Sequence, residues 1–563
     1  MRIEMAGSGG APIDELAQLP QAATEDGRGA HAGAGELTWW QHAVIYQIYP
    51  RSFQDSDGDG IGDLAGILAR VDHLARLGVD AVWLSPIYPS PMLDFGYDIA
   101  DFTGIDPVFG TMETFDRLVA ALHERGIRLI VDFVPNHTSD QHPWFKESRA
   151  SRDNPKREWY VWHDPAPDGG PPNNWLSRFG GSAWDYDEAT GQYYYHAFLK
   201  AQPDLNWWNP EVKAAMADLL RFWMKRGADG FRMDASAVLL EDDRFRDDPP
   251  NPDFEEGKTP PPERLKRVYT DDRPETLAII EELRGVIDEF PDRVLLGETQ
   301  GATERIGAFD GKERPALHLP LNFALMDAPW SASELAHAIE AYLDALPDGA
   351  WPDWVIGSHD KPRIASRMGQ AQARIAAMLA FTLPGTPILY AGDEIGVEIV
   401  PVPSEEARDP FERLVPGYDL NRDPERAPMR WNGGRQAGFT TGTPWLPVGE
   451  GIAARNVAVQ EADARSMLAL YRQLIAIRKA EPVLLAGECE ILPPASDVLA
   501  FRRHLHGEEL LVLLNTGNKP QRFSLPRPGQ LVLTTHLDRE SEGLAGTVEL
   551  RPDEGLLIRT AHF

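Results

Sequence analysis

A chain of 563 residues, 42% of them hydrophobic, is too long for one small core and sufficient for roughly two to four domains. Asp and Glu number 87 against 55 Lys and Arg, a formal charge of −32 that repels phosphate backbones and anionic lipid and sets nucleic acid aside as a partner. The single cysteine, Cys489, excludes an intramolecular disulfide and cysteine-rich zinc sites and fits a cytoplasmic location, and no stretch approaches the about 20 apolar residues of a membrane span.

Residues 1–36 lack both the basic start and the apolar run of a signal peptide and read as a flexible tail. From residue 43 a two-beat pattern recurs, a short β-branched or aromatic run followed by a loop and a helix with apolar residues three and four apart. AVIYQIY (43–49) leads to a helix over 63–77, with Leu64, Ile67, Leu68, Val71 and Leu74 on one face. AVWLS (81–85) leads to a helix carrying Phe115, Leu118, Val119 and Leu122, and IRLIVDF (127–133) follows. Further strands fall at 228–234, 294–299, 316–322, 354–360 and 386–393. Eight strands alternating with helices predict parallel βα units closed into a (β/α)8 barrel in preference to an open sheet.

Residues 138–208, rich in Trp, Tyr, Asn, Pro and Gly, interrupt the pattern after the third strand and read as an inserted subdomain or active-site wall. The barrel therefore spans 37–137 and 209–480, with a rim loop at 396–430 and a last helix around 462–479. Beyond 481 the chain breaks into short apolar runs separated by Gly, Pro and Asn, which predict an antiparallel β-sandwich to residue 563. Most aromatics of the insertion, including Trp159, Tyr160, Trp162, Trp175, Trp184 and Tyr193 to Tyr195, read as its core, although they also suit stacking on sugar faces.

DSDGDGIGD (55–63) begins like an EF-hand loop, but position twelve is Gly66 and only one helix follows, so a calcium switch is disfavoured. Four carboxylates within nine residues would repel one another without a cation. Polar residues also end the predicted strands: Asp132, Asn136 and His137; Arg232 and Asp234; Glu298; His359 and Asp360. One such Asp is usually a cap, but carboxylates at four strand ends of one rim are costly unless used. Paired carboxylates on facing strands are what glycoside hydrolysis requires, whereas the scattered His137 and His359 offer no zinc site.

DFVPNH (132–137), GFRMDA (230–235), GETQG (297–301) and GSHDKPR (357–363) resemble, in order, four sequence regions of the α-amylase superfamily of glycoside hydrolases. QPDLNW (202–207) resembles a fifth, in the form typical of the oligo-1,6-glucosidase and α-glucosidase branch, and GVDAVWLSPIYPSP and GTPILYAGDEIG resemble two more. The likeness implies Asp234 as nucleophile, Glu298 as general acid and base, and Asp360 as the carboxylate that grips the 2-OH and 3-OH of a glucosyl unit. It implies Arg232 as the cation that holds Asp234 ionised, and His137, His359, Gln202 and Arg363 as further substrate-binding residues. Asp98 would anchor the far hydroxyls and Tyr97 would stack on the sugar. A retaining mechanism places the two catalytic carboxyls about 5 to 5.5 Å apart.

By the same likeness a structural Ca²⁺, or Mg²⁺ in its place, would bind Asp55, Asp57, Asp59, Asp63 and the Ile61 carbonyl. The fourth region departs from the usual NHD at Ser358, where a changed local hydrogen bond without loss of activity is expected. Ala235 after the nucleophile leans towards α-1,4 disaccharides and short oligosaccharides, with transglucosylation when a sugar replaces water. A sucrose or trehalose isomerase and a dedicated transglucosylase are alternatives, and a non-catalytic transporter-associated homologue is a remote one. A monomer or homodimer acting on a small oligosaccharide, with no membrane partner, is expected.

Overall fold

A computed structural model describes residues 37–299, 307–310 and 315–560; the N-terminal tail and the last two residues of GETQG lie outside the described residues. Eight strands form one parallel sheet: β1 (Ile45–Ile48), β2 (Ala81–Leu84), β3 (Arg128–Phe133) and, after the insertion's β4 (Trp162–His163), β5 (Trp184–Asp187) and β6 (Gln192–Tyr195), then β7 (Gly230–Met233), β8 (Val294–Glu298), β9 (Leu319–Leu321), β10 (Asp353–Val355) and β11 (Thr386–Tyr390). Their order, β10-β11-β1-β2-β3-β7-β8-β9, brings the two edges β9 and β10 together as a nearly closed TIM barrel. That seam rests on few bonds. Val355 N donates to Asn322 O at 3.2 Å, and the buried Asp353 carboxylate accepts the Asn322 N–H at 2.9 Å.

Alternation along the strands places the site. Side chains two residues apart share a face, and the inward face carries Ile45, Ala81, Trp83, Ile130, Val294, Leu296, Leu319, Leu321, Val355 and Ile388 as an apolar plug. One inward step further on, the same faces turn polar: Gln47 after Ile45, Asp132 after Ile130, Arg232 and Asp234 on and after β7, Glu298 after Leu296. Register completes the arrangement by setting Asp132 beside Arg232.

The helices pack outside. Met112–His123 buries Phe115, Leu118, Val119 and Leu122 as its spacing predicts. The helix expected over 63–77 is two, Leu64–Ala69 and Val71–Leu77, broken at Arg70, whose guanidinium turns to Gln54 Oε1 and lies 4.2 Å from the Trp431 ring. In the insertion, β4, β6 and β5 form a small antiparallel sheet, with Trp175, Trp184 and Tyr195 packed in its core. After the helix Met467–Ala480, strands β12 (Glu488–Ala495), β13 (Val498–Leu505), β14 (Glu508–Asn515), β15 (Gln521–Ser524), β16 (Gly529–Thr534), β17 (Gly543–Leu544), β18 (Thr547–Leu550) and β19 (Gly555–Thr560) follow. Six make one antiparallel sheet, with the β15–β18 pair beside it. Buried Arg503 fixes this sheet to the barrel by donating to Thr382 O at 2.7 Å, at the C-terminus of helix Ile364–Thr382, where a cation is favoured.

Removing the seam carboxylate with Asp353→Ala strands the buried Asn322 amide and should cost about 1–3 kcal/mol. Calorimetry should show a lower Tm for this variant and little change for the exposed Asp348→Ala.

Candidate active site

Arg232 organises the C-terminal mouth of the barrel. Its Nη1 donates to Asp132 at 3.0 Å and Asp234 at 2.5 Å, and its Nη2 donates to Glu298 at 2.9 Å. The Arg232 side chain is 2% exposed and that of Asp132 0%, whereas those of Asp234 and Glu298 retain 12% and 15%, so two of the three carboxylates face the opening. Ala235, in the left-handed region at φ 47°, turns the chain so that its N–H donates to Glu298 Oε2 at 3.2 Å. Burial pushes Asp234 well above the usual carboxylate range, with Glu298 and Asp132 adding repulsion and Arg232 opposing both. Burial likewise raises Asp132 to about 6. One guanidinium shared by three carboxylates leaves excess negative charge, which favours a proton retained within the cluster, while the close contact with Arg232 favours the anionic form of Asp234.

A second cluster faces the first. Asp360 accepts from Arg426 at 2.8 Å and from Arg422 at 3.2 Å, while Arg422 also reaches Asp94 at 3.2 Å and Asp409 at 2.8 Å. Burial alone would raise Asp360, but His359, Arg422 and Arg426 hold it well below the usual range. Burial lowers His359 to about 3 and His137 to about 4, so both rings are neutral near pH 7. Gln47 Nε2 lies 2.7 Å from His359 Nδ1 and makes it the acceptor, which leaves the Nε2 proton for Asp360 at 3.1 Å. Tyr97 Oη, 3.0 Å from the same nitrogen, donates to Asp132 at 3.1 Å and links the two clusters.

The family model of the α-amylase catalytic domain matches residues 47–487. The chain belongs to the α-amylase family. It is 42% identical over 504 residues to a probable α-glucosidase of Rhizobium meliloti (strain 1021), covering 87% of this chain and 91% of the relative. It is 38% identical to an oligo-1,6-glucosidase of Parageobacillus thermoglucosidasius, covering 93% and 99% of the two chains. A crystal structure of the α-glucosyl transfer enzyme XgtA superposes with a TM-score of 0.88 at 39% identity, covering 93% of this chain and all of that one. The protein is thus a glycoside hydrolase of the α-amylase family.

Within this α-amylase-family site the structure brings together Asp234, Glu298, Asp360, Arg232, Tyr97, His137 and His359, and it shows three further residues of the expected set in contacts within the protein. Asp98 is wholly buried and its carboxylate is used locally, accepting from Ser90 Oγ at 2.8 Å and from the Leu93 and Asp94 amides. Asp94, four residues earlier, is the loop carboxylate that reaches Arg422. Arg363 donates to Ala391 O and Glu425 O and lies 3.8 Å over the Tyr390 ring, contacts that fix the loop bearing Arg426. Gln202 donates to Asp94 at 3.1 Å and lies 3.0 Å from His137 Nε2, so it bridges these two residues. Ser358 Oγ accepts the Asp360 N–H at 3.2 Å. Sequence reasoning missed Asp94, Arg422, Arg426 and Asp409, whose only signal is charge within the irregular loops 90–98 and 396–430.

In the acidic loop, carboxylate oxygens of Asp55, Asp57 and Asp63 lie within 4.8 Å of one another, a hard-oxygen set that fits Ca²⁺ or Mg²⁺. Asp59 stands outside this convergent group and accepts the Ile61 N–H at 2.7 Å. Asp63 also caps helix Leu64–Ala69, and Gly60, at φ 94°, lets the loop press against Thr443 O, which a Cβ would meet at 1.9 Å.

A carboxyl raised in the folded state keeps a proton that the unfolded chain releases, so it costs stability as pH rises from about 4 through its folded value. Asp234→Asn removes that cost. Its Tm should exceed the wild-type value at pH 7, with the difference shrinking towards pH 4; a lower Tm at pH 7 would contradict the assigned direction.

Proposed function

We propose that the protein is an exo-acting, retaining α-glucosidase that releases glucose from the non-reducing end of short α-glucosides. The observation that carries this reading is the pair of partly open carboxylates, Asp234 and Glu298, held on two nitrogens of one guanidinium. In the reactive form Asp234 is the carboxylate and Glu298 carries the proton: Asp234 attacks the anomeric carbon, the glycosidic bond breaks, and Glu298 gives its proton to the departing glycosidic oxygen, leaving a glucosyl ester on Asp234. Glu298, now a carboxylate, takes a proton from water, whose oxygen attacks the same carbon and frees Asp234. Two inversions retain the α configuration. Asp360, held anionic, binds ring hydroxyls beside the centre where positive charge develops, and Arg422 with Asp94 binds those further round the ring.

The small Ala235 beside the nucleophile supports an α-1,4 preference, and its left-handed backbone disfavours a β-branched residue there. The names of the relatives span α-glucosidase and oligo-1,6-glucosidase, and a transfer enzyme has the same fold at TM-score 0.88. A second reading, transfer of the glucosyl group to another sugar, shares every step but the acceptor. Incubation with maltose, isomaltose, sucrose and trehalose separates the readings: glucose should be the main product from maltose, and an isomerised or lengthened sugar as the main product would sink hydrolysis as the principal activity. Glu298→Gln should lower kcat/KM about 10²- to 10⁴-fold, and Asp234→Ala should cost at least as much.

The acidic loop would hold a structural Ca²⁺ or Mg²⁺ through Asp55, Asp57 and Asp63, with Asp59 and the Ile61 carbonyl joining when the ion is bound. The ion would neutralise the clustered carboxylates and pin the loop after β1, outside the chemistry. Chelation with EDTA should lower Tm while kcat below that temperature changes little; the reverse would contradict a structural role.

A further inference from the structure

One turn of the insertion reaches two other rim loops at once through neighbouring side chains that diverge. Arg178 donates to Asp271, in the loop after β7, at 2.6 Å. Phe179 stacks on Phe411, in the loop after β11, with ring centroids 4.1 Å apart and planes at 29°. Gly180 follows at φ 93°, and a Cβ there would lie 2.9 Å from Val415 Cγ2, so the backbone itself abuts the short helix Pro410–Leu414.

Phe179 is 2% exposed and sits in the middle of an aromatic arc. On one side it lies 6.3 Å from Phe198, whose ring is 5.1 Å from His137. On the other, the Arg422 guanidinium lies 5.8 Å from the Phe179 ring and 4.7 Å from that of Phe411. The arc therefore runs from His137 to Arg422, two groups at the edges of the carboxylate site. Asp409 fixes its far end: it caps Phe411 N at 3.2 Å and binds Arg422 through both oxygens, at 2.9 and 2.8 Å. The ring of Phe411 and the guanidinium that reaches Asp94 and Asp360 are thus held by one buried carboxylate.

We propose that Phe411, stacked on Phe179, is a specificity-determining wall that ends the sugar pocket after one glucosyl unit. The inference rests on the α-glucosidase reading and adds the residue that limits chain length. Packed between the buried Phe179 ring and the Arg422 guanidinium, the Phe411 ring fills space at the far edge of the site and offers a further sugar no hydrogen bond of its own. With the wall removed, a chain could run through the site, and the bound terminal glucose would lose a contact.

The test compares maltose with a maltoheptaoside whose non-reducing end is capped by an ethylidene group, following products by chromatography. The wild type should cleave maltose and leave the capped chain intact. Phe411→Ala should raise KM for maltose about tenfold, with the loss falling on KM more than on kcat, and should begin to cut the capped chain. Phe411→Tyr, which keeps the stacking face, should bring KM back towards wild type and leave the capped chain intact. If Phe411→Ala does not fold, Phe411→Leu, which keeps volume without the planar face, carries the same expectation. A variant that keeps KM within about twofold and leaves the capped chain untouched overturns the wall. So does a wild type that cuts the capped chain, although the glycosidase reading then survives; a wild type that releases glucose from none of the four disaccharides overturns that reading itself.

Discussion

One cation among three carboxylates is the constraint on which the rest of the structure depends. Arg232 contacts Asp132, Asp234 and Glu298 at once, and all four groups lie at or near the end of the barrel's apolar plug. Burial makes each unpaired charge expensive, and the arrangement persists because strands on both sides fix it. β3 supplies Asp132 in register with Arg232, and β8 supplies Glu298. The barrel must therefore be stable enough to hold a cluster of closely set carboxylates, and an apolar plug fills its interior below the cluster.

A fourth carboxylate, Asp360, is held by contributions from distant parts of the chain. Arg422 and Arg426 come from the loop after β11, and Asp94 comes from the loop after β2. Asp409 ties Arg422 to the same short helix that carries Phe411, and Phe179 brings the insertion to that helix. The barrel thus supplies the carboxylates around Arg232, while loops separated by hundreds of residues supply the enclosure. In the proposed α-glucosidase, this division would assign the chemistry to strand ends and the choice of substrate to loop contacts.

Legibility in the sequence follows the same division. All eight barrel strands could be read because the alternation of short apolar runs with helical spacing is a local signal, and strand-end polarity is what singled out the carboxylates now seen around Arg232. Asp98 misled because LDFGYD holds two acids four residues apart, and only tertiary contacts show that Asp98 caps its own loop while Asp94 reaches Arg422. Arg363 misled for a related reason: an arginine close behind a strand end can face either the site or the loop that supports it, and here Ala391 O, Glu425 O and the Tyr390 ring take it. The break at Arg70 was hidden because the apolar spacing runs unchanged through it, and the cause is a partner, Trp431, far along the chain. The aromatic residues of the insertion were correctly read as mostly core, since Trp175, Trp184 and Tyr195 pack on one another.

The central claim is that Asp234 forms a covalent bond to the sugar while Glu298 moves the proton. The most direct measurement is to trap that ester with 5-fluoro-α-D-glucosyl fluoride and locate the added sugar by peptide mass spectrometry. The account predicts a single fluoroglucosyl unit on the peptide containing Asp234, absent in Asp234→Asn. A label on any other carboxylate, or turnover with inverted product and no trapped intermediate, would contradict it.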